Sequence, residues 1–404
     1  MILKIAFRNI FRQKRRTILT ALAMIVGFTL SSLFIGWSDG IYSNIISTFT
    51  RNRIGHIQVH TEGYRARPSI YKTISDYEPV GETIQDISGV EAWTPRIYAA
   101  GLGSVGEKST AVQVVGVDVV RENDATQLYQ KVIEGRLFTE NTTHEAVIGK
   151  RLAKILKAEV GSDFVIFSQA ADGSLANDLY KIVGITESGD DRTDRTTCYI
   201  NLAAAQELFV LNGRIHEIVV IVSNINHVGK ITNKMKESLT NATLEVAPWQ
   251  EVAKSFYNAM KTDQQGDAIG RFVILFIVAM GVLNTVLMSV LERTREYGLL
   301  KAVGTTPLQI FYLVICEVGI IALASIIVGA LFGTFFNYLL SVYGITLSEE
   351  LTYGGMKFGT MHAEVNVRSI LIPTITVFCS AMLVSLYPAI KAARILPAKA
   401  MRVH

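Results

Sequence analysis

The sequence predicts an α-helical membrane protein with four transmembrane helices and a large α+β extracytoplasmic domain containing an inserted β-rich subdomain. Three observations predict it. Half of the 404 residues are hydrophobic and only 18% are charged, below the quarter usual in soluble domains. The apolar residues gather in four runs, Ile18–Trp37, Ile269–Leu291, Leu308–Leu340 and Ile370–Ile390, each near or above the length that spans a bilayer. The stretch between the first two runs instead mixes short alternating and helical patterns.

Taken in order, residues 1–17 ("KIAFRNIFRQKRRTILT" from Lys4) form an amphipathic helix. Ile5, Phe7, Ile10 and Phe11 share part of one face and Arg and Lys cover the rest, a pattern that lies in the headgroup plane and is held by anionic lipid. Residues 18–37 are the first span. Its basic start resembles a signal peptide, but the run is long and no A-x-A site lies near its end, so an uncleaved anchor is expected.

Residues 38–268 form the external domain. "HIQVH" (His56–His60), "AVQVVGVD" (Ala111–Asp118), "DFVIF" (Asp163–Phe167), "YKIVGI" (Tyr180–Ile185), "CYIN" (Cys198–Asn201) and "EIVVIV" (Glu217–Val222) read as strands. Helices are expected at Gly149–Ala158, Leu202–Leu211, His227–Leu239 and Gln250–Lys261. An insertion over about 130–195 opens at "EGRLF" and closes at the polar "SGDDRTDR" (Ser188–Arg195). "DGIYSNIISTFTRN" after the first span and the helix from Gln250 make a pair of stalks, although the two glycines of "TDQQGDAIG" (Thr262–Gly270) argue for a break in the second. Residues 269–291 are the second span, 292–307 a short charged helix, and 308–340 an over-long third span that tilts or projects. An outer loop at 341–368, a fourth span at 369–391 and a tail at 392–404 complete the chain.

Basic residues set the orientation. Lys4, Arg8, Arg12, Lys14, Arg15 and Arg16 precede the first span, Arg293, Arg295 and Lys301 lie between the second and third, and Lys391, Arg394, Lys399 and Arg402 follow the fourth. The 341–368 loop holds only Lys357 and Arg368 against Glu349, Glu350 and Glu364. Both termini and the 292–307 helix are therefore expected in the cytoplasm. This topology accounts for most of the net charge of +4, with no nucleic-acid footprint needed. Of three cysteines, Cys316 and Cys379 fall in spans and Cys198 alone is external, so the external domain has no internal disulfide.

Motifs that carry chemistry are few. "GLGSVG" (Gly101–Gly106) fits G-x-G-x-x-G but is followed by a strand pattern, which makes it a turn between strands rather than a dinucleotide site. His56 and His60 lack a third ligand, so a polar strand face is expected and no metal. "DDRTDR" lacks calcium-loop spacing and reads as a solvated loop. There is no G-x-S-x-G and no G-x-x-x-x-G-K-[ST]; "IGKR" (Ile148–Arg151) ends wrongly. No catalytic residue is assigned, and no cofactor is expected on this chain. Within the spans, Glu317 is read as a packing hydrogen bond or a side chain reaching the interface, with ion coupling as the alternative and no basic partner visible. Asn284 reads as interhelical glue. Gly329 and Gly333 allow close helix approach, within the subunit or across a dimer.

"GVLNTVLMSVLERTREYGLLKAVGTTPLQI" (Gly281–Ile310), the start "KIAFRNIFRQKRRTILT" and the tail "LYPAIKAARILPAKAMR" (Leu386–Arg402) resemble the permeases of the macrolide-exporter and lipoprotein-releasing group of ABC transporters (MacB, LolC/LolE and FtsX relatives). The resemblance implies a bacterial inner-membrane complex of two permease chains, identical or related, with a dimer of separate ATPase subunits that hold ATP and Mg. It leaves room for a periplasmic carrier or adaptor. It makes 292–307 a coupling helix seated on the ATPase, which by position assigns Glu292, Arg293, Arg295, Glu296, Gly298, Leu299, Lys301 and Gly304. It also implies transmission of ATPase motion to the periplasmic domain, for extraction or export of a hydrophobic or lipidated cargo such as a lipoprotein. The alternative is an FtsX-like scaffold that activates a periplasmic partner without transport. MacB carries its own ATPase domain, and none is expected in this chain. "SQAADGSLANDLYK" (Ser168–Lys181) looks short for the hook that LolC uses to recruit a carrier.

Overall fold

A computed structural model describes residues 2–12, 14–239, 243–353 and 356–396. The chain begins with helices α1 (Ile2–Arg12) and α2 (Lys14–Phe49), the latter ending in a π-helical turn at Thr50–Ile54. The external segment contains β1 (Ile57–Thr61), α3 (Tyr77–Gln85), β2 (Val90–Val105), β3 (Lys108–Val117), α4 (Val119–Thr126), β4 (Val132–Gly135), β5 (Glu145–Gly149), α5 (Lys150–Leu156) and β6 (Asp163–Gln169). It continues with β7 (Leu175–Thr186), α6 (Asp191–Thr196), β8 (Thr197–Asn201), α7 (Leu202–Leu208), β9 (Glu217–Val222), α8 (Val228–Ser238), β10 (Leu244–Pro248) and α9 (Trp249–Val252). The last elements are α10 (Lys254–Glu292), α11 (Thr294–Ala302), α12 (Pro307–Tyr343), β11 (Ile345–Tyr353), β12 (Met356–Met361) and α13 (Arg368–Ala393). Two compact units result: Met1–Asn44 with Met260–Leu347 and Thr360–His404, and Ile45–Ala259 with Ser348–Gly359.

In the first unit, α2, α10, α12 and α13 are each long and apolar enough to cross a membrane. Val278, Val282, Val286 and Val290 recur every fourth residue on α10 and pack with Met24 and Phe28 of α2, Val314, Val318 and Ala322 of α12, and Val377 and Ala381 of α13. This is the inward stripe expected of a bundled helix. Thr306 starts α12 through a capping box with Gln309, with Pro307 in the first turn, where its missing N–H costs nothing. The expected break at Thr262–Gly270 is not found: α10 is continuous through both glycines. Each glycine costs a helix only about 1 kcal/mol, which the long run of backbone hydrogen bonds absorbs. The Gln250 helix does divide, but at Ala253.

The packing of α12 on α2 explains two glycines. A Cβ on Gly329 would lie 2.9 Å from Phe28 Cβ, and one on Gly333 would lie 2.7 Å from Ser32 Oγ. The G-x-x-x-G pair therefore serves contact within this chain. One turn further on, Asn337 donates to the Ser32 carbonyl at 3.1 Å and to its hydroxyl at 3.2 Å. The helix α1 packs through Ala6, which is fully buried, while Leu3, Phe7 and Phe11 form its exposed stripe. Ile5 and Ile10 are half-buried rather than sharing the outer face with Phe7 and Phe11.

In the second unit one sheet runs β10-β1-β9-β2-β3-β8-β5-β7-β4, with β6 bridging β2 and β7. All pairs are antiparallel except β3 with β8 and β5 with β7. The segment expected as an insertion supplies β4 to β7, which extend this sheet rather than forming a second one. "GLGSVG" ends β2 and turns into β3 at Gly106. "SGDDRTDR" is not a solvated loop. Asp190 caps α6 by accepting from the Arg192 N–H, and Asp190 and Asp194 are both buried. Cys198 is a buried free thiol, pushed up well beyond its usual range by burial.

Candidate functional site

The structure sorts the residues of the charged segment after α10 by where they face. At Arg293 the backbone leaves the helix (φ −96, ψ 14), so α10 and α11 are separate pieces joined by one residue. The Arg293 side chain turns inward and is buried. Its Nη1 lies 3.0 and 2.8 Å from the two carboxylate oxygens of Glu317, and its Nε donates to Glu296 at 2.9 Å. It also lies over the Tyr297 ring, which is itself buried beside Gly298. Glu317 therefore has the basic partner that was not visible in the sequence, and Asn9 of α1 donates to the same carboxylate at 2.6 Å. An ion pair held by both oxygens and a third donor is a structural fastening, which leaves no free carboxylate for ion coupling.

The remaining charges are mostly paired as well. Glu292 meets Arg16. Glu296 lies 3.6 Å from Arg12. Lys301 Nζ donates to the carbonyls of Ala393 at 2.6 Å and Ile395 at 2.9 Å, capping the end of α13, where a cation is favoured by the helix dipole. Arg295 is exposed and has no ion pair among the described residues. Leu299 is 56% exposed and Val303, which the sequence did not single out, is 82% exposed. Arg295, Leu299 and Val303 are spaced by four and form one outward stripe. Gly304 follows with φ 108, a conformation that favours glycine. Thus Arg295, Leu299 and Gly304 face out, whereas Arg293 and Gly298 are buried and Glu292, Glu296 and Lys301 are held by this chain's own groups.

Asn284 is also placed differently from the expectation. It is exposed on α10 and makes no hydrogen bond among the described residues. Val273, Ile277, Met280, Met288 and Leu291 are exposed on the same face at steps of three and four.

In the external unit, charged side chains fasten the end of α2. Arg51 Nε donates to the Ala125 carbonyl at 3.3 Å and its guanidinium meets Glu91. Arg53 lies 3.3 Å from Asp190. Arg96 of β2, 5% exposed, donates to the Arg53 carbonyl at 3.0 Å and pairs with Glu122 of α4. Burial alone would raise the Glu122 carboxyl; Arg96 more than reverses this and holds it below the usual range. Across the sheet, Arg96 lies opposite Glu217, which lies opposite His60. His60 Nε2 is 3.1 Å from Glu217. His60 and Gln58 thus belong to a polar sheet face, but a buried one.

Comparisons with known proteins agree with this architecture. The MacB-like periplasmic core domain family matches residues 17–238, and the FtsX-like permease C-terminal family matches 269–397. An uncharacterized ABC transporter permease of Methanocaldococcus jannaschii is 22% identical over 99% of this chain and 97% of its own length. The lipoprotein-releasing system transmembrane protein LolC of Neisseria meningitidis is 19% identical over 98% of each chain. The macrolide export ATP-binding/permease protein MacB of Campylobacter jejuni is 21% identical over 98% of this chain and 60% of its own length. The crystal structure of the periplasmic region of MacB from Actinobacillus actinomycetemcomitans is 17% identical, covers 50% of this chain and 92% of that one, and has a TM-score of 0.37.

Proposed function

Since this chain belongs to the family of ABC transporter permeases with a MacB-like periplasmic core and an FtsX-like C-terminal region, we propose that it takes up ATP-driven motion at α11 and passes it to its external domain. The observation that carries this is the outward stripe of Arg295, Leu299 and Val303, on a helix whose other charges are satisfied internally. An exposed apolar pair beside an unpaired guanidinium suits a protein partner. That partner is a separate ATPase dimer, which holds ATP and Mg. The cytoplasm then holds α11 and both termini, and 45–259 lies outside. Each long helix α2 and α10 runs from the membrane unit into the external one, which supports conduction of a hinge-like closure. The cargo is hydrophobic or lipidated, such as a lipoprotein, handled at the outer face. The scaffold alternative is not favoured, because the external region matches a MacB-like core over most of its length.

A second permease chain is part of this reading. An asparagine on an outward transmembrane face is costly unless another helix meets it, and Asn284 is in that position.

The test is Leu299→Asp. Burying a half-exposed leucine against a partner contributes roughly 1–2 kcal/mol, and a carboxylate in its place adds a desolvation cost of similar or larger size. ATPase affinity in detergent should fall about thirtyfold to several-hundredfold, measured by titrating the co-purified ATPase back onto the stripped chain. Unchanged affinity would exclude α11 as the contact.

A further inference from the structure

The outward stripe explains what α11 touches but not how its motion is carried onward. Two features make its covalent links poor carriers. The chain leaves the helix at Arg293. At the other end Gly304 sits at φ 108, with open space where a side chain would stand. Neither joint continues the helix geometry, so a turn or a push is carried onward by what the side chains there hold.

We infer that Arg293 is a positioning residue which fastens α11 to α12 and α1, so that motion entering at α11 is taken up by α12 as well as by α10. This rests on the reading that α11 receives the ATPase. One guanidinium at the joint reaches both helices: Nε binds Glu296, in the first turn of α11, and Nη1 binds both oxygens of Glu317 in α12. Asn9 adds α1 to the same carboxylate. The far end of α11 is tied by Lys301 to the carbonyls that end α13. From Glu317 the route along α12 reaches the close contacts with α2, where Gly329 meets Phe28, Gly333 meets Ser32 and Asn337 donates to Ser32. The helix α2 continues unbroken to Phe49. A push on α11 can thus enter the first span through packed side chains, without bending the Arg293 joint. The buried charges are the part of this route that substitution can cut cleanly, because Glu317→Gln keeps the shape and removes the charge.

The experiment uses the full chain with its co-purifying ATPase in nanodiscs, carrying fluorophores at Arg15 in α2 and Glu107 in the β2–β3 turn. Two quantities are read, ATPase affinity and the ATP-driven change in energy transfer. Glu317→Gln should leave affinity within about twofold and cut the ATP-driven change by about threefold to tenfold, the range seen for substitutions on a coupling route. Arg293→Lys should lose part of the change, since an ammonium cannot bridge Glu296 and Glu317 as a planar fork does. The charge swap Arg293→Glu with Glu317→Arg should recover at least about half of it, which repacking alone would not do. Asn9→Ala, which leaves the ion pair intact, gives a smaller loss and reads the route even if the charged variants fail to fold. A full ATP-driven change in Glu317→Gln, or in Asn9→Ala should the charged variants not fold, overturns the inference. So does a swap no better than the single substitutions. Loss of ATPase affinity in Glu317→Gln equal to that in Leu299→Asp also overturns it, whereas an inert Leu299→Asp sinks the docking reading instead.

Discussion

Glu122→Gln tests how the external unit holds the end of α2. Glu122 accepts from Arg96 Nε at 3.0 Å and Nη2 at 2.7 Å, from Thr94 at 3.2 Å and from Thr126 at 2.8 Å. Arg96 Nη1 donates to the Arg53 carbonyl at 3.0 Å and the Tyr98 hydroxyl at 3.1 Å. Both side chains are nearly inaccessible, at 6% and 2%. The glutamine keeps the shape but puts an amide N–H against the guanidinium and leaves the buried cation without its bonded counter-charge. Breaking a buried pair from one side costs about 3–5 kcal/mol. One acceptor is retained, so the lower part of that range, about 3 kcal/mol, is expected. The double variant Arg96→Met with Glu122→Leu removes both charges and chiefly strands the Arg53 carbonyl, a cost of roughly 1–2 kcal/mol. The assay is urea unfolding of the full chain in detergent, followed by the fluorescence of Trp93 and Trp249 in the external unit. A Glu122→Gln variant within about 1 kcal/mol of the parent would refute the reasoning, as would a double variant less stable than the single one.

Two further outcomes follow from the same geometry. Burial, with Arg51 nearby, pushes the His56 imidazole down to about 4, so the folded state stays neutral while the unfolded chain takes up a proton near 6.5. Stability of the external unit should therefore be fully present above pH 6.5 and fall by about 3 kcal/mol as the pH drops toward 4. His56→Gln should flatten that slope in urea titrations at several pH values, and an unaltered slope would remove His56 as the cause. Asn284→Leu should shift the chain from paired to single in native mass spectrometry, by about threefold or more in the dissociation constant; an unchanged pairing would mean that another face joins the chains.

Much of the fold was legible because it rests on local patterns. The four spans follow from apolar length. The strand at Ala111–Asp118 and the turn at Gly106 follow from alternation and a glycine. The Gly281–Ile310 tract carries the family. Around the start of α11, however, nothing local separates Arg293, which is buried, from Arg295, which is not. Asn337 in an apolar run is likewise a local signal of helix contact.

What the sequence by itself determined was therefore the kind of protein: span number, an external α+β domain, and a charged helix between the second and third spans. The tertiary structure alone decided which of those charges are free. Glu317 finds Arg293 twenty-four positions away and Asn9 three hundred and eight away, and the glycine contacts of α12 depend on which face of α2 it meets. Hydropathy and periodicity act along the chain within a few residues, whereas a buried charge is settled by whichever partner packing brings within about 3 Å.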